Sequence, residues 1–145
     1  MIKSCHVRNT FLNFYKSKNH TYYPSSSCVA SDADGTLFVN AGINQFKSVI
    51  LSKKTSILPS NRIHNYQKCI RLTDVKKIVS HFGQHSFFEM MGAWSFNNNY
   101  SEEVSILMAN EFITKKLQIP IENIVVSIVS DANISSTTKK IWRSV

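Results

Sequence analysis

Cysteine is scarce in this sequence, and its thiols form no metal-binding or disulfide pattern. The three cysteines, Cys5, Cys28 and Cys69, are odd in number and widely spaced, and no CxxC pair occurs. Such spacing indicates neither a disulfide framework nor a zinc site, and it favours a reducing compartment. We therefore expect no metal ligands in this chain.

Long apolar runs are missing as well. The sequence has no apolar stretch of about eighteen residues, the length a membrane-spanning helix needs, and no secretory signal is visible. We therefore expect no membrane partner. Hydrophobic residues still make up 43% of the 145 residues, and aromatic residues 11%. A chain of this length and composition can bury a core, so we expect a single domain over 1–145.

Acidic residues are few, above all near the N-terminus. Lysine and arginine number 17 against 9 acidic residues, a formal net charge of +8. This balance favours a polyanionic partner such as nucleic acid, although a solvated basic surface fits it equally well. No acidic residue precedes Asp32, whereas Lys3, Arg8, Lys16 and Lys18 are basic. That pattern is typical of mitochondrial import segments, and the alternative is the first helix of the domain.

Apolar periodicity predicts four helices along the chain. They cover residues 3–18, 44–51, 102–116 and 135–145. The side chains expected to face inward in the first three are those of Val7, Phe11, Phe14, Tyr15, Phe46, Ile50, Leu51, Val104, Leu107, Met108 and Phe112. Ser101 is expected to cap the third helix.

Short apolar stretches predict the strands. One begins near Val29, and the others cover 36–40, 66–71, 85–92 and 124–129. With the helices, these strands predict an α+β fold with a mainly antiparallel sheet flanked by helices.

The strands at 66–71 and 85–92 are joined by a polar, basic loop and predict a hairpin. Alternation places Cys69 and Arg71 on one face of the first strand. On the second strand it separates Phe87 from Phe88, and their order along the strand does not say which ring shares a face with the arginine. An arginine suits a phosphate and a ring suits a nucleobase, although a plain core hairpin shows the same pattern.

The residues of this hairpin resemble a known family. QKCIR at 67–71 followed by HSFFEMMGAWSF at 85–96 is similar to the signature of the alanyl-tRNA synthetases, in which this hairpin, motif 2 of class II, binds ATP. The resemblance also includes FLNF, KNH, PSSS and FVNAGINQFK, and it covers the chain from Val7 to Trp142. It implies a partial class II catalytic fold with the motif 1 and motif 2 regions.

The resemblance implies ATP-dependent activation of alanine and its attachment to tRNA(Ala). ATP with Mg²⁺, alanine and tRNA(Ala) are then the expected cofactors and partners, and a homo- or hetero-oligomer is expected. By the same resemblance, Arg71 is the catalytic residue that holds the α-phosphate, and His85 lies near the nucleotide phosphates. One of Phe87 and Phe88 packs under adenine while the other faces the core, and Met90 lines the same pocket. Structural support and packing on the dimer side, and not direct catalysis, are expected from Asn40, Gly42, Asn44 and Gln45.

The sequence also departs from the family pattern. Leu72 follows Arg71 where the family continues as AGGKHND, and residues 97–101 read NNNYS where the family has GDYFK. Because the sequence ends at Val145, we expect motif 3 and the tRNA-recognition, editing and C-terminal domains to be absent, so that only the ATP-binding half-site is present. The alternative is a non-catalytic paralogue that binds RNA, nucleotide or a synthetase partner.

Two further expectations follow. His81 and His85 have HxxxH spacing, which we interpret as coincidence and not as a metal site. Stretches such as AWSF look most similar to mitochondrial members of the family, so we expect a mitochondrial location, with the cytoplasm as the alternative.

Overall fold

The computed structural model describes residues 3–30, 35–52, 57–72, 78, 83–128 and 132–145. The chain forms two compact units. One consists of Met1–Phe14 and Asn98–Val145, and the other of Tyr15–Asn97.

Helix α1, Ser4–Ser17, forms where the apolar periodicity predicts it. Its buried stripe places Phe11 and Phe14 against Phe112, with ring centroids 5.4 Å apart in both pairs. The helix ends before Asn19, which adopts a left-handed conformation with φ of 62°. Asparagine tolerates that conformation, so a polar turn here ends the helix without glycine.

The first unit continues with helix α2, Glu102–Glu111, whose cap was predicted correctly. The Ser101 hydroxyl accepts a hydrogen bond from the Val104 N–H at 3.4 Å. The helix continues as a π-helical turn over Phe112–Lys116. The predicted stripe is only half right: Ile106, Met108 and Phe112 are buried, whereas Leu107 is 44% exposed. Val104, also predicted to face inward, is 39% exposed. Positions 106 and 107 are both apolar and lie about 100° apart around the helix axis, so the apolar spacing fits a buried stripe through either one.

The end of this unit contains one predicted element and lacks another. A short 3₁₀ helix, Ile121–Asn123, follows Pro120, and helix α3 covers Ala132–Ser144. Residues 124–128 form no strand, and Val125 is 91% exposed, so that prediction is wrong. A strand needs a neighbour for its backbone hydrogen bonds, and the described part of this unit contains no other strand.

The second unit contains a three-stranded sheet. Its strands are β1, Thr21–Tyr22, β2, Arg62–Ile70, and β3, Phe87–Ser95, in the order β1-β2-β3. β2 and β3 pair antiparallel, which confirms the predicted hairpin, and β1 is parallel to β2. The sheet is therefore mixed within the predicted α+β class. The strands expected near Val29 and at 36–40 are reduced to one antiparallel bridge between Val29 and Phe38.

Phe46 is the centre of the core of this unit. It ends a 3₁₀ helix, Asn44–Phe46, that leads into a short α-helix, Lys47–Ser52. The ring is fully buried, with centroids 4.7 Å from Trp94 and 5.7 Å from Phe96. Val49 completes the buried face, and the predicted Ile50 and Leu51 are 44% and 83% exposed. Val49 lies three residues after Phe46 and so shares its face of the helix, whereas Leu51 lies five residues after it and points away.

We predict that Phe46→Ala lowers the free energy of unfolding by about 3–5 kcal/mol, because it removes a buried ring and leaves a cavity. Leu51→Ala is the matched control, since Leu51 follows in the same helical region and is 83% exposed, and it should change stability by less than about 0.5 kcal/mol. Urea denaturation of both variants measures the difference. Equal losses in the two variants would contradict this description of the core.

Two histidines are buried side by side in the same unit. His20 and His64 are 3% and 2% exposed, and their ring centroids lie 6.4 Å apart. Burial lowers the pKa of both imidazoles, because water no longer solvates the charged form. The positive charge of each neighbouring group acts in the same direction, that of Arg62 on His20 and that of Lys16 on His64. Both rings are therefore neutral in the folded protein at neutral pH.

These lowered pKa values predict acid sensitivity. As the pH falls below about 6.5, the ordinary histidine value, the unfolded chain takes up protons that the folded chain resists, so the free energy of unfolding decreases. The decrease ends once the folded imidazoles themselves become protonated. Denaturation curves between pH 7.5 and 5 should show a weaker pH dependence for His20→Gln and His64→Gln. His6→Gln, at an exposed position in α1, should keep the full dependence, and three identical profiles would exclude the buried pair as its source.

Candidate functional site

The register of the hairpin decides which side chains share a face. Cys69 pairs with Phe88, and Gln67 pairs with Met90. Phe88 and Met90 therefore lie on the face of Gln67 and Cys69, whereas Phe87 points to the opposite face. The question that alternation left open is settled by pairing, because directly opposed residues of two antiparallel strands lie on the same side of the sheet.

Arg71 follows β2 directly and is held beside an aromatic ring, as predicted. Its backbone N–H donates to the Ser86 carbonyl at 2.8 Å, and its guanidinium carbon lies 5.1 Å from the centroid of the Phe88 ring. The side-chain Nε–H donates to the Asn40 carbonyl at 2.9 Å. This bond leaves the paired Nη groups without a hydrogen-bond partner among the described residues, and these are groups through which an arginine engages a phosphate.

Two open pockets flank this arginine. One has a volume of about 320 Å³ and is lined by Arg71, Gly83, Gln84, His85 and Phe88. The other has a volume of about 530 Å³ and is lined by Thr36, Leu37, Phe38, Asn40, Ile70, Arg71 and Leu72. Both volumes lie in the range of small-molecule sites. The smaller pocket combines a cation, an imidazole and a ring face, which suits an aromatic anion.

The structure separates the five residues predicted to form the site. Arg71, His85 and Phe88 line one pocket. Met90 lies on the same face as Phe88, where its sulfur accepts a hydrogen bond from the Gly42 N–H at 3.2 Å. Phe87 is 57% exposed on the opposite face, so the expectation that the second ring faces the core is wrong.

The segment around Gly42 packs against side chains of β3 next to the site. A Cβ at Gly42 would lie 3.5 Å from the Trp94 ring and 3.6 Å from the Met90 sulfur. Gly42 thus packs closely against both side chains, while the supporting role expected of Asn44 and Gln45 stays a prediction. Asn40 orients Arg71 through its backbone carbonyl, which accepts the hydrogen bond from the guanidinium Nε–H. No residue pattern signals such a contact, because every residue has a carbonyl.

Gln67 is a positioning residue that the sequence did not indicate. It is fully buried, and its Oε1 accepts from the Ser26 N–H at 2.8 Å while its Nε2 donates to the Ser26 carbonyl at 3.0 Å. This pair of bonds fixes the segment Pro24–Cys28 against β2. A buried glutamine with both ends bonded holds its neighbours in one arrangement.

Other kinds of site find no support in the described part of the chain. No three histidine, cysteine or acidic side chains there come together as metal ligands. Among the same residues, no helix has both the length and the apolar character to cross a membrane. His81 lies outside the described residues, so the HxxxH interpretation stays a prediction.

Comparison with known proteins relates this geometry to a family. Residues 6–145 match the family model described as tRNA synthetases class II (A). The chain is 44% identical to the mitochondrial alanine–tRNA ligase of Caenorhabditis elegans over 129 residues, 83% of the chain and 15% of that protein. It is 41% identical to the cytoplasmic alanine–tRNA ligase of the same organism, over 96% of the chain and 16% of that protein.

A bacterial relative gives the same result. The alanine–tRNA ligase of Christiangramia forsetii is 34% identical over 99% of the chain and 17% of its own length. The chain thus spans about a sixth of the length of these curated relatives, between 15% and 17% in each case. Because the family model covers residues 6–145 and these relatives align over most of the chain, the chain belongs to the class II tRNA synthetase family of the alanyl type.

Proposed function

We propose that this chain supplies the ATP-binding part of an alanine–tRNA ligase, which activates alanine with ATP and attaches it to tRNA(Ala). The observation that carries the proposal is Arg71 beside Phe88 at a pocket of the motif 2 hairpin. The names of the matched relatives, alanine–tRNA ligases in each case, support the choice of amino acid and tRNA.

Activation requires the alanine carboxylate to attack the α-phosphate of ATP while pyrophosphate leaves. The protein contributes chiefly by positioning the reactants and by neutralising the negative charge that grows on phosphorus. In this proposal Arg71 binds the α-phosphate through its Nη groups, while the Asn40 carbonyl fixes the guanidinium through Nε. His85, which lines the same pocket, lies near the remaining phosphates.

The nucleobase is assigned to Phe88 and not to Phe87. Phe88 shares the pocket with Arg71, so one nucleotide spans the guanidinium and the ring. Met90 lies next to Phe88 on the same face and extends its apolar surface. Phe87, on the far side of the strand, has no access to a ligand that Arg71 holds.

Magnesium is expected with ATP, and the described residues that line the two pockets offer it no carboxylate ligand. Mg²⁺ binds oxygen, usually one or two carboxylates together with the substrate phosphates. The described residues that line the pockets carry no carboxylate. The residues present therefore do not fit a protein-held metal, and Mg²⁺ would enter on the phosphates of ATP.

We also propose how the chain relates to a whole synthetase. Residues 1–145 correspond to the N-terminal part of the catalytic domain, because the motif 1 and motif 2 regions follow one another in the family order. Mitochondria are the proposed location, supported by the acid-free N-terminal segment and the mitochondrial relative at 44% identity. The cytoplasmic relative at 41% keeps the cytoplasm as the alternative.

The first test replaces the arginine. Arg71→Ala should abolish alanine-dependent exchange of labelled pyrophosphate into ATP. It should also weaken ATP binding about tenfold to a hundredfold, since a charge-assisted hydrogen bond contributes about 1.5–3 kcal/mol. Arg143→Ala is the matched control, because it removes the same charge from an exposed position in α3 and should leave both measurements unchanged.

The outcomes of this test separate binding from chemistry. ATP binding without exchange would support the nucleotide site and exclude adenylation by this chain alone. A chain that binds no ATP, or an Arg71→Ala variant that binds it as tightly as the wild type, would overturn the proposed site.

The second test compares the two adjacent phenylalanines. Phe88→Leu should weaken ATP binding by about 1–3 kcal/mol, the usual contribution of one ring stacked on a base, as measured by calorimetric titration. Phe87→Leu makes the same chemical change one residue earlier, on the opposite face, and should leave the affinity unchanged. The reverse order of effects would assign adenine to Phe87.

A further inference from the structure

The segment Pro24–Cys28 lies along β2 in a regular register. The Ser25 hydroxyl donates to the Tyr66 carbonyl, and the Ser26 N–H donates to Gln67 at 2.8 Å. Both contacts join residues 41 positions apart. Two residues further along both segments, the same spacing of 41 positions places Cys28 beside Cys69.

The bonds of Cys28 agree with this placement. Its Sγ donates to the Lys68 carbonyl at 3.4 Å, and that carbonyl belongs to the peptide bond leading into Cys69. Its own carbonyl accepts from the Val39 N–H at 2.9 Å, so the backbone of Cys28 is fixed as well as its thiol.

Cys69 projects from β2 toward the same segment. It lies two residues after Gln67 and therefore on the same face of the strand. The Gln67 side chain extends from that face to both backbone groups of Ser26, so side chains of this face meet the segment Pro24–Cys28. The Cys69 thiol thus extends from the face that meets this segment, and the Cys28 thiol lies at the β2 carbonyl immediately before Cys69.

The two thiols differ in their access to solvent. Cys28 is partly exposed, whereas Cys69 is fully buried. Burial raises the pKa of the Cys69 thiol, the positive charge of Arg71 opposes this shift, and the nearby Cys28 adds to it. Cys69 therefore stays protonated, and an oxidant from solvent meets Cys28 first.

We propose that Cys28 and Cys69 are a peroxide-oxidisable pair that closes into an intramolecular disulfide. Cys28 sulfur attacks a hydroperoxide oxygen, so Cys28 becomes a sulfenic acid and the hydroperoxide leaves as the alcohol, or as water from hydrogen peroxide. The Cys69 sulfur then attacks the Cys28 sulfur, and the hydroxyl group leaves with the Cys69 proton as water. The protein loses two hydrogens, and the peroxide is reduced by two electrons.

The position of this bond connects it to the candidate site. The disulfide joins Pro24–Cys28 to β2 two residues before Arg71. Val39 also links Cys28 to the end of β2, since its N–H donates to the Cys28 carbonyl and its own carbonyl accepts from the Ile70 N–H at 2.9 Å. Oxidation thus fixes the strand end from which Arg71 extends, whether or not the proposed ligase function holds.

The test uses the whole chain carrying Cys5→Ser, which removes the exposed third thiol and prevents exchange between molecules. One equivalent of hydrogen peroxide is added, free thiols are alkylated, and the unreduced protein is digested with trypsin. We expect one disulfide-linked product, joining peptide 19–47 to peptide 69–71, that dithiothreitol separates. Oxidation of Cys28 to a dimedone-reactive sulfenic acid with no linked product would overturn the proposal.

Two further variants make the result specific. Cys28→Ser should leave Cys69 reduced under the same treatment, because the buried thiol then has no oxidised partner. Adding Ser27→Cys to Cys28→Ser moves the thiol by one residue along the segment, out of register with Cys69, and should give no linked peptides. A link formed equally well from position 27 would show that the register of this segment does not direct the reaction.

Discussion

Strand β2 is the element on which the rest of the second unit depends. It pairs with β1 on one edge and with β3 on the other, and most of its residues are buried. On one face, Ile63 packs against Phe46 and its neighbours, which fixes the core. At its end, the same strand places Arg71. Core and candidate site are therefore aligned by one set of backbone hydrogen bonds, and a shift of register by one residue would turn every side chain to the other face.

This arrangement buries polar side chains along β2. Gln67 satisfies its groups through Ser26, but Asn65 is fully buried with neither side-chain polar atom bonded within the described part of the chain. Its pairing partner is Gly92, where a Cβ would lie 2.1 Å from the Trp94 ring. The indole thus lies across the backbone of Gly92, which explains why this strand carries glycine. Nothing in the structure explains the unpaired amide of Asn65.

The candidate site follows from contacts made by backbone as much as by side chains. The Asn40 carbonyl orients the Arg71 guanidinium, and the Gly42 N–H fixes the Met90 sulfur. These contacts join the segment at 40–42 to the hairpin. The position of the cation beside Phe88 therefore depends on residues distant in the chain, since Asn40 and Arg71 are 31 positions apart. Positioning of this kind is what phosphoryl chemistry requires of a protein.

Local pattern determined a large part of this protein. The spacing of Phe11 and Phe14 predicts α1, Ser101 predicts a helix start, and alternation from Tyr66 onward predicts the hairpin with an arginine next to a ring. Each of these depends on neighbours within a few residues, so the sequence contains the whole signal. The resemblance of the motif 2 residues indicated the family for the same reason.

Tertiary structure decided what depends on partners distant in the chain. Whether Phe87 or Phe88 lies beside Arg71 was set by the pairing of β2 with β3. Whether residues 124–128 form a strand depended on the presence of a neighbouring strand. The burial of Val49 in place of Leu51 depended on which face of its helix packs against the core around Phe46. Periodicity gives a side chain its direction along its own element, but burial and register arise only when that element meets another. For that reason the sequence determined the family, the helices and the hairpin, and the fold determined which residues of those elements form the site.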